Sequence, residues 1–435
     1  MTRGQRLLTG IVVGLAAVLL AAFAVAWHPA IAPIEPPAAT SFDRMEVKRG
    51  EGLALIGDCT ACHTSNAAKP LAGGRPMATP FGTVFTTNIT PDRETGIGTW
   101  SREAFVRAMR SGVAQNGEPL YPAFPYDHFT RANDQDLAAI YAWLMTRPPV
   151  SARPPANQLK EAFGWRPLLA VWTLRYLREG PRADDPKQSA DWNRGRALVE
   201  GLAHCGGCHT PRDRFGAEDK ARAYDGAMTE GWYAPPLNAR SPAVRAWTAD
   251  RLFTYLRTGL NPSHAAAAGP MGTVTRALAR APEQDVRAIA VYVASLMANA
   301  PAAKQDLPTL DNQQVADQAH PEAALLFAGA CAGCHGAGAP MMQQGRPPLS
   351  WGTPLHEDGP HDTVRIIMAG LASPVGPSGP AMPAFADYFT DRQLADLATY
   401  LRARYTDKPP WPDIAQTIGA ARLERAPPPA KEASK

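Results

Sequence analysis

The chain has 435 residues, is 45% apolar and carries 43 prolines and a formal charge of +4. That apolar share excludes a disordered chain, and the length allows roughly three domains. No basic run and no interleaving of basic with aromatic residues points to nucleic acid, so no such partner is expected.

The first predicted element is apolar. Arg3 and Arg6 precede a run from Leu7 to Trp27. Roughly 20 residues suffice to cross a bilayer core, and the run is long for the core of a signal peptide. Positive charge on the N-terminal flank predicts a cytoplasmic start, with everything downstream exported. Ala22-Phe23-Ala24 and Ala24-Val25-Ala26 look like cleavage sites, so a removed signal is the alternative to a retained transmembrane helix. Residues 1–40 are read as anchor and linker, the linker being Pro- and Ala-rich from His28. The expected location is the inner membrane, with the bulk of the chain in the periplasm.

From residue 41 onward one three-part pattern occurs three times. A short helix runs into a cysteine motif. A second helix follows and ends at Gly112, Gly259 or Gly370. A third helix closes the copy with apolar residues at helical spacing and an acidic first turn, in DQDLAAIYAWLM, EQDVRAIAVYVASLM and DRQLADLATYLRARY. The domains are accordingly placed at 41–150, 189–300 and 320–406. Residues 151–188 form a connector, 301–319 a polar linker and 407–435 a tail, mobile after Asp413. The connector contains FGWRPLLAVWTLRYLREGP, too apolar for a solvated linker. It packs on the chain's own domains or docks on a partner subunit or membrane surface.

The cysteine motifs read CTACH at Cys59–His63, CGGCH at Cys205–His209 and CAGCH at Cys331–His335. Cys-x-x-Cys-His is the attachment signature of c-type haem. Two thiols add across the two vinyl groups of one porphyrin, and the following histidine sits under the iron. A lone Cys-x-x-Cys could be a zinc half-site or a redox dithiol. Three copies, each with its histidine, use all six cysteines: Cys59, Cys62, Cys205, Cys208, Cys331 and Cys334. Three covalently bound haem c groups are expected, with His63, His209 and His335 as iron ligands. Thioether attachment also belongs outside the cytoplasm.

The second iron ligand of such a centre is usually methionine. Met382 follows Gly370 by twelve residues and Met271 follows Gly259 by twelve, both in sequence that reads as Gly/Pro-rich loop. The same offset from Gly112 gives Phe124, which cannot ligate iron. For the first centre His128, four residues further on, is the candidate; Met109, Met77 and an open iron are the alternatives. His28, His204, His264, His320, His356 and His361 are read as surface or surrounding groups.

The three haem motifs, with TPFGTVFTTNITPDRETGIGTWS, LYPAFPYDHFT, EGWYAPPLN and GPMGTV, carry a resemblance over the whole chain. It resembles the triheme cytochrome c subunits of bacterial membrane-bound dehydrogenases. Each copy resembles the class I cytochrome c fold. The fold class implied is all-α with little or no sheet: three tandem cytochrome c domains plus an N-terminal transmembrane helix. One branch of the family serves quinoprotein alcohol dehydrogenases. The other serves molybdenum hydroxylases such as aldehyde, nicotinate and isoquinoline oxidoreductases. The loop with Phe124 and His128, and the anchor, look more like the molybdenum branch. The resemblance implies an electron-transfer subunit that does not itself oxidise substrate. Its partner would carry molybdopterin and iron–sulfur subunits rather than a quinoprotein, and its acceptor would be ubiquinone or the respiratory chain. Two competing readings are a haem enzyme with an open first iron and a cytochrome domain of a terminal oxidase.

Overall fold

The structure is a computed structural model that describes residues 27–304, 310–343, 346–373 and 381–425, with Thr2 and Gly4. The apolar run expected to form an anchor lies outside the described residues except for Trp27. Among the described residues no helix is long and apolar enough to cross a membrane. The chain divides into two compact units. The first comprises residues up to 187 with 196–204 and 214–217; the second comprises 188–195, 205–213 and 218–435.

In the first unit the three expected helices form at Arg44–Ile56, Arg102–Ser111 and Asp134–Met145. Their starts are fixed by short polar side chains that satisfy otherwise unpaired backbone N–H groups. Asp43 accepts from Met45 and Glu46, Ser101 from Ala104, and Asn133 from Asp136. The second helix stops at Gly112, as expected. Leu137, Ile140 and Leu144 on the third helix and Leu53 and Ile56 on the first are buried, and the two helices cross in contact. The crossing is close because Gly50 lacks a side chain: a Cβ there would lie 1.9 Å from the Ala139 carbonyl oxygen. Beside it Arg49 Nη2 reaches Asp136 Oδ1 at 2.5 Å, and Asp136 is 2% exposed.

The second unit repeats the device. Gly195 in the helix Ala190–Val199 would bring a Cβ within 2.0 Å of the Ala288 carbonyl oxygen, and Arg194 Nε meets Asp285 at 2.8 Å. Ala288 and Asp285 lie on the closing helix Glu283–Leu296, which also packs on Ala249–Thr258. The third copy builds its core from Phe327 on Pro321–Ala330, Val364 and Met368 on His361–Ala369, and Leu394 and Leu397 on Asp391–Tyr405. Gln393 stands there in place of Asp136 and Asp285, and the first and last helices are linked instead by Glu322 and Arg392 at 3.8 Å, both exposed.

The sheet content is small, as expected, and two expectations, on the tail and on the 301–319 linker, are corrected. Two short antiparallel sheets are present: Pro76–Thr79, Gly82–Phe85 and Gln158–Leu159 in the first unit, and Ala227–Thr229 with Trp232–Ala234 in the second. The segment after Asp413 is not loose as far as Arg425. It forms the helix Ile414–Arg425, with Ile418 fully buried in the third copy's core and Arg422 bonded to Asp391 and to the Ala386 and Phe389 carbonyls. Part of the 301–319 linker is also core: Ala316 in the helix Gln313–Ala319 is 1% exposed. In the connector, the helix Leu168–Tyr176 buries Ala170 and ties Thr173 to Tyr126, yet leaves Trp165, Leu168, Val171 and Leu174 exposed. It therefore packs on its own unit by one face only.

Gly50→Ala should destabilise the first unit by about 1–3 kcal/mol, the usual cost of forcing a methyl group into a filled contact. Gly329→Ala, where nothing lies within 4 Å of the added methyl, should act oppositely. It should gain about 0.5–1 kcal/mol from helix propensity. Thermal unfolding of the two variants checks the signs.

Candidate haem-attachment sites

Each motif forms a single helical turn set off from the helix before it. In the first two copies the break is a residue in the left-handed region, Asp58 at φ 50° and His204 at φ 37°. The turns are Cys59–His63 and Gly206–His209, with Cys205 as the cap of the second. In the third, Cys331 caps the turn Ala332–His335 directly after the helix.

The histidines are held from behind. His63 Nδ1 lies 2.6 Å from the Thr87 carbonyl oxygen, and His209 Nδ1 lies 2.7 Å from that of Pro235. Thr87 and Pro235 both come just after a hairpin, so the two small sheets deliver these acceptors. A ring that donates from Nδ1 presents the lone pair of Nε2, the form an iron ligand needs. Burial also lowers the pKa of His63, His209 and His335, which favours the neutral imidazole.

The thiols tell the same story. Burial pushes Cys59 and Cys205 up to about 12 and Cys331 up to about 11. A zinc thiolate or a reactive dithiol needs a cation or helix end that lowers the thiol pKa. The first cysteine of each motif has the opposite environment. All six cysteines are unbridged, and no described cluster of acidic, His and Cys groups could hold a bare metal ion. The residues fit covalent haem. Arg75 and Arg212 were not legible as part of the site. They donate to the carbonyls of Ala61 and Gly207, the same motif position in two copies, at 3.0 and 2.9 Å. They come from different places in the sequence, so no spacing announces them.

The candidates for the second ligand fall in different settings. Met271 lies in the first turn of the helix Gly269–Leu278, not in a loop as expected. Met382 pairs with Leu371 through two backbone bonds and packs at the edge of the third core. The twelve-residue offset does not mark one backbone position. Val113 pairs with Pro119 and Leu260 with Ala266, so Phe124 and Met271 each lie five residues past the bridge, whereas Met382 is itself the bridge partner. Phe124 packs against Tyr126 and Phe129. His128 is buried, with Nδ1 2.9 Å from the Glu200 carbonyl oxygen and its ring edge-on to His204. Met109 is buried in the first unit's core, as Leu256 is in the second, and Met77 lies on the strand Pro76–Thr79 opposite Val84. Two of the histidines read as surface or surrounding groups are buried. His264 is stacked on Trp247 with centroids 3.4 Å apart, and His356 Nε2 lies 2.8 Å from the Ser350 carbonyl oxygen.

A Cys-x-x-Cys-His turn with a buried neutral histidine oriented through Nδ1 defines a c-type cytochrome. The comparisons agree. A family model described as cytochrome c matches residues 47–148, and one described as cytochrome c oxidase, cbb3-type, subunit III matches 318–401. A nicotinate dehydrogenase subunit from Pseudomonas putida is 44% identical over 94% of this chain, which spans 34% of that protein's length. The fructose dehydrogenase cytochrome subunit of Gluconobacter japonicus is 34% identical over 86% of this chain and 82% of its own. The cytochrome c subunit of alcohol dehydrogenase (quinone) from Gluconobacter oxydans is 33% identical over 88% of this chain and 84% of its own. The chain belongs to the family of dehydrogenase cytochrome c subunits, which transfer electrons.

Proposed function

We propose that the chain holds three covalent haems, one at each motif, and carries electrons from a dehydrogenase's catalytic subunit to ubiquinone or another respiratory acceptor. The observation that carries this reading is the motif turn formed three times, with the histidine of the first two turns held through Nδ1 to a carbonyl. Haem, when bound, supplies one-electron exchange at its iron. The chain's residues do the rest. Cys59, Cys62, Cys205, Cys208, Cys331 and Cys334 would tether the haems; His63, His209 and His335 would ligate the irons, and Met271 and Met382 would supply the second ligand at the second and third centres. His128 is assigned to the first, since its Nδ1 is held by a carbonyl just as in His63 and His209.

The partner favoured is a molybdenum hydroxylase with iron–sulfur clusters, on the similarity to the nicotinate dehydrogenase subunit. A quinoprotein is the second reading, supported by the similarity to the quinone-type alcohol dehydrogenase subunit. Metal and quinone analysis of the co-purified complex separates them. Placement at the inner membrane, facing the periplasm, follows from Arg3 and Arg6 before the apolar run and from thioether chemistry; cell fractionation tests it.

Intact-mass measurement should give the apo mass plus three haems, and replacing Cys205 and Cys208 with alanine should remove one. Two or fewer haems on the native chain would overturn the count. His128→Ala should turn one low-spin centre high-spin and leave the others unchanged, read by paramagnetic resonance. An unaltered spectrum would remove His128 from the ligand set.

A further inference from the structure

The strand Trp232–Ala234 in the second unit is held at both ends of a short path. Just past it, the Pro235 carbonyl holds His209. At its middle, the Tyr233 N–H donates to Asp362 Oδ1 at 2.8 Å. Asp362 belongs to the third copy's helix His361–Ala369 and is 9% exposed. Within its electrostatic reach sits Glu357, 2% exposed, whose Oε2 is buried with no hydrogen-bond partner.

The nearby donors are committed elsewhere. Arg402 Nη1 donates to the Leu355 and Glu357 carbonyls at 2.8 and 2.6 Å, and its Nε to that of Pro409 at 2.9 Å. Trp411 Nε1 also takes the Glu357 carbonyl, at 2.9 Å. These bonds fix the Glu357 backbone and leave one carboxyl oxygen bare. A buried carboxylate in that state is strongly disfavoured, and a proton is the smallest ligand that removes the charge. The groups facing Glu357 are Asp358, Asp362 and Arg402, with Tyr233 from the strand. Those facing Asp362 are Tyr255, Tyr233 and Arg365, which is itself paired with Glu424.

We infer that Glu357 and Asp362 form a proton-binding site that takes one proton from solvent when an electron reaches the centre held by His209, and returns it when the electron leaves. This rests on the reading that the second motif carries haem. The electron comes from the dehydrogenase partner and the proton from water, so charge balances at each step. An added negative charge raises the proton affinity of acids buried nearby in low dielectric. The strand end from Tyr233 and the Pro235 that follows it link the two sites along three consecutive residues.

The shifts of the pair agree with the geometry. Burial pushes Asp362 up to about 6. Burial and the neighbouring acids push Glu357 well above the carboxylate range. Asp362 keeps the Tyr233 N–H and Arg365, which favour its anion, so the proton resides on Glu357. Both values are raised by folding. Their contribution to stability is therefore present at low pH and is lost as pH rises through the folded values.

The test is spectroelectrochemical titration of the full holo chain from about pH 5 to about pH 8. In the wild type the potential of one centre should fall as pH rises. That component should be missing when Cys205 and Cys208 are replaced. Glu357→Gln, which mimics the neutral acid, should be flat with pH and sit at the acid-limit potential. Asp362→Asn, which keeps an acceptor for Tyr233, should move the window. Should these variants fold poorly, the reduced-minus-oxidised infrared spectrum of the wild type should show a protonated carboxyl that gains intensity on reduction. A full complement of haems with equal pH slopes in wild type and Glu357→Gln overturns the inference, as does a spectrum lacking that band. A missing second haem by mass overturns the functional reading instead.

Discussion

The bond from a histidine Nδ1 to a backbone carbonyl is the constraint on which the first two sites depend. Imidazole has two nitrogens, and only one can carry the proton in the neutral ring. Giving that proton a fixed acceptor sets the tautomer and the ring plane together. In His63 and His209 the acceptor lies 24 and 26 residues further along the chain. The intervening loop must therefore return to the same place each time. The hairpins Pro76–Phe85 and Ala227–Ala234 accomplish this by antiparallel pairing. The helices in turn must cross closely enough to support that loop, which is where Gly50 and Gly195 enter.

The helices were legible because their signals are local. Ser101, Asn133, Thr248 and Thr390 cap their helices, and Gly112 and Gly259 end them, as the repeat suggested. The motif turns were equally plain. The carbonyls of Thr87 and Pro235 were not, because a backbone oxygen carries no residue signature. The two hairpins are only three or four residues per strand, too short for alternation to stand out. The last helix was missed because AQTIGAARLER offers few large apolar residues, yet Ile418 and Ala421 seat it in a core made by distant helices. The offset from the glycine counts residues and not backbone positions: the bridge partner is Pro119 after Gly112 and Ala266 after Gly259, but Met382 itself after Gly370.

The buried polar groups divide by whether they are paired. Asp136 is satisfied by Arg49 and by Asn133 Nδ2 at 3.2 Å. Arg402 is satisfied by three carbonyls and the face of Trp411. Both act as fasteners, since removing a partner would strand a charge in the interior. Glu357 is the contrast, a buried acid fastened by its backbone and not by its carboxyl.

A tandem repeat runs the risk of assembling the wrong halves. The first two copies share an Arg-Gly step on one helix and an aspartate on the other, so their helices could in principle trade places. The third copy cannot join that exchange. Its last helix carries Gln393 where the other two carry Asp136 and Asp285, so a swapped crossing would leave Arg49 or Arg194 without its carboxylate. One changed residue thus weighs against mismatched partners while the chain folds.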